Sequence, residues 1–209
     1  YLLDACQSVG QLPVDVDALH CDFLSVTGRK YLRGPRGTGF LYARTRSTRH
    51  IEPLLLDNHA AKWTGENEYT VRADARRFEN WERYFAGVIG LKAAIDQANE
   101  LGMDAVWGRL RTLADGLRAR LATVKGVTPT DLGQVKGAIV TFAVDGHDHA
   151  ALKAKLRAQA INVTVSTQFS SRLDLEGRGL KDVMRASVHV YNTEEELDRF
   201  VAALAKLVA

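Results

Sequence analysis

The chain has 209 residues, 46% hydrophobic and 25% charged, with a formal net charge of +3 and a sequence pI near 8.9. That length supports one or two domains with a real core, and the charge is too small to imply a nucleic-acid partner by itself. No apolar run of membrane-spanning length and no signal-peptide pattern occurs, so the composition reads as that of an ordinary cytoplasmic globular protein.

Residues 1–3 and 23–26 are short apolar or β-favouring runs, each followed by polar residues and glycine, which predicts two strands. Between them Pro13 is a helix-start signal, and residues 13–20 leave room for one short crossover. The two strands are therefore either neighbours or separated by another. Next, Gly34-Pro35-Arg36-Gly37-Thr38-Gly39 forces a turn before a strand at residues 40–43. This glycine-rich stretch lacks the spacing and the strand-to-helix setting of a dinucleotide loop. Residues 51–80 show little periodicity and mix Trp63 with Gly65, Glu66 and Asn67, which predicts a long loop.

Apolar residues then recur at helical spacing (Phe85, Val88, Ile89, Leu91, Ile95, Ala98) until Leu101-Gly102 supplies a stop. A second helix is expected over 104–124, closed by Gly126 and Pro129. Beyond it, strand at 138–144, helix at 150–160, strands at 161–165 and 183–190, and helix at 193–207 describe a small α+β domain. Asn192-Thr193-Glu194-Glu195-Glu196 opens that last helix as a capping box, with Asn192 read as a cap ahead of a ligand.

Two residues carry the chemistry. Asp4 follows the first strand and Lys30 follows the second, twenty-six positions later. A lysine amine can form a Schiff base with an aldehyde cofactor, and a carboxylate can keep the cofactor's pyridine nitrogen protonated so that it accepts electrons. Parallel strands deliver such groups at their carboxyl ends. On spacing alone the pair is weak evidence, because most such residues are solvated charges at loop edges.

Other clusters offer less. Asp145, His147, Asp148 and His149 include metal-type ligands without a well-spaced third partner, and Asp148 suits a helix start. His189 reads as a structural residue on a strand. Arg29, Lys30, Arg33, Arg36, Arg44, Arg46 and Arg49 are basic, yet no aromatic stacking series accompanies them. Cys6 and Cys21 form neither a disulfide framework nor a metal spacing and read as small buried hydrophobes, with a reactive role left open for Cys6 beside Asp4 and Gln7.

The string from Leu3-Asp4-Ala5-Cys6-Gln7, through Asp22-Phe23 and Ser25-Val26-Thr27-Gly28-Arg29-Lys30, to Gly34-Pro35-Arg36-Gly37-Thr38-Gly39 resembles the class V aminotransferase family. The likeness continues in Arg77-Phe78-Glu79 and in Met184-Arg185-Ala186-Ser187, and so covers nearly the whole chain. The family groups fold-type I pyridoxal phosphate enzymes, among them cysteine desulfurases, selenocysteine lyases and isopenicillin-epimerase-like proteins. The resemblance implies an α/β fold: residues 1–100 would be the C-terminal part of the large mixed-sheet, cofactor-binding domain, and 101–209 the small α+β domain. It implies pyridoxal 5'-phosphate bound covalently by Lys30, with Asp4 on the pyridine nitrogen and Gln7 on the phenolic oxygen. Thr27 and Arg29 stand where the family has a serine and a histidine on the phosphate, and Arg185 matches the arginine that clamps the substrate carboxylate.

Departures from the family pattern narrow the reading. Residues 166–175 hold no cysteine where a persulfide-forming desulfurase carries its nucleophile. Val163-Thr164-Val165-Ser166 replaces an element with a second arginine, and Phe78-Glu79-Asn80-Trp81-Glu82 replaces one whose threonine reaches the partner subunit's phosphate. The chain starts inside an expected strand without a methionine and reads as a fragment, whose relatives carry further site residues upstream. The resemblance implies a homodimer acting on an amino acid: a carbon–sulfur lyase of cysteine-derived substrates without a persulfide cysteine. An epimerase or aminotransferase is the second reading, and a non-catalytic phosphate- or partner-binding remnant the third.

Overall fold

In the computed structural model, which describes residues 1–209, strand β1 (Leu2–Asp4) leads through helix α1 (Val16–Leu19) to strand β2 (Phe23–Thr27). The Asp15 carboxylate caps α1 by accepting from Asp17 N at 2.8 Å and Ala18 N at 3.1 Å, and His20 ends it in the left-handed conformation with φ 54°. Of the two arrangements the sequence left open, the strands are neighbours: β1 and β2 pair in parallel, with Asp4 opposite Ser25. After the glycine turn, strand β3 (Gly39–Ala43) returns antiparallel to β2, with Gly39 opposite Thr27. A Cβ at Gly39 would lie 2.2 Å from the Val26 carbonyl oxygen, so the close strand approach requires glycine there. The short helix α2 (Thr45–Thr48) follows.

Residues 51–80 depart from the expected loop. Strands β4 (Ala61–Gly65) and β5 (Glu68–Val71) form a hairpin, with Trp63 opposite Tyr69, and a 3-10 turn covers Ala75–Phe78. Most residues of the hairpin are exposed on both faces, so the alternation that marks a half-buried strand is missing. The readable signal was the polar pair Glu66-Asn67, which leaves a two-residue loop between Gly65 and Glu68.

Helix α3 (Phe85–Leu101) stops at Gly102, whose φ of 79° suits glycine. Its Leu91, with Ile95 and Ala98, packs against Leu24, Val26 and Leu32, so one face of the three-stranded sheet is the core of this part of the chain. Helix α4 (Met103–Ala122) buries Val106, Leu110, Leu113, Leu117 and Leu121, a stripe at helical spacing.

The remainder runs β6 (Val127–Pro129), β7 (Ile139–Val144), α5 (His149–Arg157), β8 (Thr164–Thr167), α6 (Arg172–Gly177), β9 (Asp182–Ser187) and α7 (Glu194–Val208). The strands form an antiparallel sheet in the order β6-β7-β9-β8. Strand β6 and helix α6 were not anticipated, being too short to show a period. Strand β9 ends at Ser187, so His189 lies beyond it, not on it, and its ring stacks on Tyr191 at 4.6 Å between centroids. The capping box forms as expected: Glu196 N donates to Thr193 Oγ1 at 3.3 Å, and Glu196 Oε2 accepts from Thr193 N at 3.1 Å. Thr193 is the cap itself, and Asn192 supports it through Nδ2 donating to Glu196 Oε2 at 2.9 Å.

The chain divides into two compact units, Tyr1–Asp104 and Ala105–Ala209. No helix is long and apolar enough to cross a membrane.

Candidate active site

The strand register decides which side chains share a face. Leu24 and Val26 of β2 are buried, which turns Phe23, Ser25 and Thr27 to the opposite face, and pairing of Asp4 with Ser25 places Asp4 there too. Asp4 and Thr27 each stand at the carboxyl end of their strand, where parallel strands present ligand-binding groups.

The loop after β2 is held by backbone. Gly28 N donates to Thr38 O at 2.9 Å, Gly34 N to Gly28 O at 2.8 Å, and Arg33 N to Lys30 O at 2.9 Å. A Cβ at Gly28 would lie 2.5 Å from Thr38 Oγ1 and 2.8 Å from Leu91 Cδ1, and one at Gly34 2.9 Å from the same leucine carbon. Two glycines thus press the loop onto α3. Within it Lys30 is half-buried and Arg29 exposed. Gly28 and Gly34, flanking the lysine, are the signal of this clamp in the sequence, but what they pack against is set only by the fold.

Asp4 is the electrostatic centre of the group. Its carboxyl is held below the usual carboxylate range, first by a hydrogen bond from the Cys6 side chain and then by the Cys6 backbone N–H at 3.0 Å. Burial opposes this, and the positive charge of Lys30 adds to it. Thr27 Oγ1 donates to Cys6 Sγ at 3.1 Å. Gln7 lies in the turn that follows β1, half-buried, its backbone carbonyl accepting from Gln11 Nε2 at 2.8 Å.

Arg185 belongs to the second unit, on β9 between Thr141 of β7 and Thr164 of β8. Its Nε donates to Ser187 Oγ at 3.2 Å, and no carboxylate of the chain forms an ion pair with it. Residues 163–166, where a second arginine was expected from the family pattern, run into strand β8 beside it.

The remaining clusters are bound into the fold. Asp148 caps α5 by accepting from Ala151 N at 2.7 Å. His149 Nε2 accepts from Val144 N at 3.0 Å, and its Nδ1 faces the Asp182 carboxylate, so both ring nitrogens are engaged. Arg44 braces α1 through Asp17 at 2.7 Å and the carbonyls of Val16 and Cys21 at 2.6 and 2.9 Å. Glu79 meets His59 at 3.1 Å and Arg83 at 3.2 Å, while Phe78 packs edge-on against Phe23.

A family model described as Aminotransferase class-V matches residues 1–200. A probable cysteine desulfurase of Xylella fastidiosa (strain 9a5c) is 32% identical over 209 residues, covering 99% of this chain and 49% of that protein. The apo cysteine desulfurase of Thermococcus onnurineus NA1 superposes with a TM-score of 0.91 at 28% identity, over 99% of this chain and 52% of that one. The cystine C–S lyase C-DES, in complex with its reaction product cysteine persulfide, superposes with a TM-score of 0.81 at 26% identity, over 95% of this chain and 50% of its own. A mutant of C-DES carries glycine covalently linked to its PLP cofactor, with a TM-score of 0.80 at 26% identity over 95% of this chain and 49% of its own. The chain spans about half the length of the curated relatives it matches. The α/β fold-type I architecture expected from the sequence is the one observed, over that half. From its residues, its fold and these likenesses, the chain belongs to the class-V aminotransferase family.

Proposed function

We propose that the protein is a pyridoxal 5'-phosphate-dependent enzyme acting on an amino acid at Cα and Cβ, as a carbon–sulfur lyase of cysteine-derived substrates. The observation that carries this reading is that Asp4 ends β1, that β1 pairs in parallel with β2, and that Lys30 follows in the loop after β2, its charge the last of the contributions that lower the Asp4 carboxyl.

The donor set fits such a cofactor. Asp4 is ionised and exposed on the open sheet face, as a carboxylate that keeps a ring nitrogen protonated must be. Lys30 would hold the cofactor through Nζ and, once displaced by the substrate amine, serve as the base that moves the proton at Cα. Gln7 would hydrogen-bond the phenolic oxygen. Arg29, exposed, and Thr27 would donate to the phosphate. Thr27 has one hydroxyl proton, so it would turn it from Cys6 to the phosphate. When bound, the cofactor supplies an electron sink for the negative charge left at Cα when a bond there breaks. Arg185 would grip the substrate carboxylate with its planar fork, the end not held by Ser187 being free for it.

A lyase without its own persulfide cysteine is supported by residues 166–175, which contain none, and by Cys21, which is fully buried. We take the working form to be a homodimer. Leu54, Leu55, Trp63, Trp81, Phe85 and Ile89 are all exposed, and exposed large apolar side chains suit burial against a second copy. Two free thiols suit the reducing cytoplasm.

The test is borohydride reduction of the cofactor-loaded protein followed by mass mapping. A permanent cofactor adduct on Lys30, lost together with the visible absorbance band in Lys30→Ala, is the expected result; an adduct on another residue, or a band that persists in the variant, overturns the assignment. Pyruvate and ammonia released from cysteine or cystine would support the lyase reading, and racemised product the epimerase.

A further inference from the structure

Alternation along β9 separates its side chains onto two faces. Met184 and Ala186 are buried, which turns Arg185 and Ser187 to the other face, Arg185 half-buried and Ser187 exposed. Two positions apart on one face, the pair is in contact: Arg185 Nε donates to Ser187 Oγ at 3.2 Å, and this is the hydrogen bond that the structure gives the guanidinium. The residues opposite Arg185 are Thr141 and Thr164, and their hydroxyls are engaged elsewhere. Thr141 Oγ1 accepts from Thr130 Oγ1 at 2.9 Å, and Thr164 Oγ1 turns to the Arg185 backbone carbonyl at 3.5 Å. Asp182, the acidic residue of the strand, meets His149. The guanidinium therefore has a neutral tether and no internal counter-charge.

We propose that Ser187 is a positioning residue: its hydroxyl occupies Arg185 Nε and leaves the terminal nitrogens Nη1 and Nη2 as the open edge, so that a carboxylate is gripped end-on, one oxygen to each nitrogen. The functional meaning of this contact rests on the reading above, in which Arg185 holds the substrate carboxylate. A guanidinium can meet a carboxylate by either of two edges, Nη1 with Nη2 or Nε with one Nη. The serine blocks the second edge and leaves the first. It also holds in place a long side chain whose ordering would otherwise oppose binding. Threonine at position 187 would keep the hydroxyl, and valine would keep the shape of threonine without it.

The experiment reads the Arg185 Nε–H by nitrogen-15 NMR in the full chain, with Arg185→Lys used to identify the signal. Ser187→Val should speed its exchange with water roughly two- to tenfold, the loss of one ordinary hydrogen bond, while Ser187→Thr should stay with the parent. In the cofactor-loaded protein given L-cysteine, Ser187→Val should raise KM by roughly the same factor at unchanged kcat, because a grip made equally in the ground and transition states is weakened. Ser187→Thr should keep the parent KM. Equal exchange in the parent and Ser187→Val overturns the proposal. So does a Ser187→Thr protein that behaves like Ser187→Val, or a KM that stays put in Ser187→Val while Arg185→Ala raises it. Should Ser187→Val fail to fold, Ser187→Ala makes the same comparison. Failure of the underlying reading looks different: no product from L-cysteine in the parent, or a KM indifferent to Arg185→Ala, removes the role given to Arg185. The exchange rates, which need neither cofactor nor substrate, then decide by themselves whether Ser187 holds the guanidinium.

Discussion

Gly34 N–H donates to the Gly28 carbonyl at 2.8 Å, closing a loop of backbone around Lys30. Both glycines also lie against Leu91 of α3, too close for a Cβ to enter without displacement. The lysine therefore sits on a segment whose shape is set by core packing and not by its own side chain.

Gly28→Ala should cost about 1–3 kcal/mol, the usual range for forcing an extra carbon into a packed site. Leu91 or Thr38 would have to move, and the loop with them. A lower melting temperature together with reduced cofactor attachment at Lys30 is expected. Equal melting of variant and parent would mean that the loop relaxes freely.

On the proposed reading, Asp4→Asn removes the charge that the cofactor's ring nitrogen would need. Hydrogen bonds to charged groups contribute about 1.5–3 kcal/mol, so cofactor affinity should fall roughly ten- to a hundredfold. Titration of the visible absorbance band measures this. An unchanged affinity would remove Asp4 from the site.

Asp57 joins distant parts of the irregular segment, accepting from Trp81 N at 2.7 Å, His59 N at 2.9 Å and Ala60 N at 3.1 Å. These N–H groups, Trp81 first, hold its carboxyl below the usual range. A carboxyl whose folded pKa is depressed stabilises fully above its unfolded value of about 3.9, and that contribution disappears as pH falls through the folded value. Protection of the Trp81 amide from hydrogen exchange, corrected for intrinsic rates, should therefore decline below about pH 4. Asp57→Ala should remove the pH dependence and lower the protection at neutral pH. A parent profile flat through acid would contradict this.

Thr193→Ala removes the side-chain acceptor of the Glu196 N–H while keeping the backbone bond from Thr193 N to Glu196, and the loss should be about 1 kcal/mol. Chemical denaturation reads it as a lower midpoint with an unchanged slope. Cofactor attachment at Lys30 should be unaffected.

How much the sequence disclosed follows from the size and period of each element. Helices α3 and α4 were legible because Leu91, Ile95, Leu110, Leu113 and Leu117 repeat at a period that only a helix satisfies. The capping box was legible because Thr193 and Glu196 interact within one turn. The β4–β5 hairpin was not, because most of its residues face solvent and show no alternation. Strand β6, three residues long, gains its definition from pairing with β7 and carries no pattern of its own.

The site divides in the same way. Residue types and local spacing determined the chemistry on offer: a lysine and a carboxylate after two strands, a hydroxyl and a guanidinium between them, and no cysteine in residues 166–175. The tertiary structure alone decided that β1 and β2 are parallel neighbours, that Asp4 shares a face with Thr27, and that the Cys6 thiol meets the Thr27 hydroxyl. The physical reason is that a strand's alternation specifies two faces but not its neighbour or register. Those are chosen by burial of Leu24 and Val26 against Leu91 and by backbone hydrogen bonds between residues about twenty positions apart, which no local pattern records.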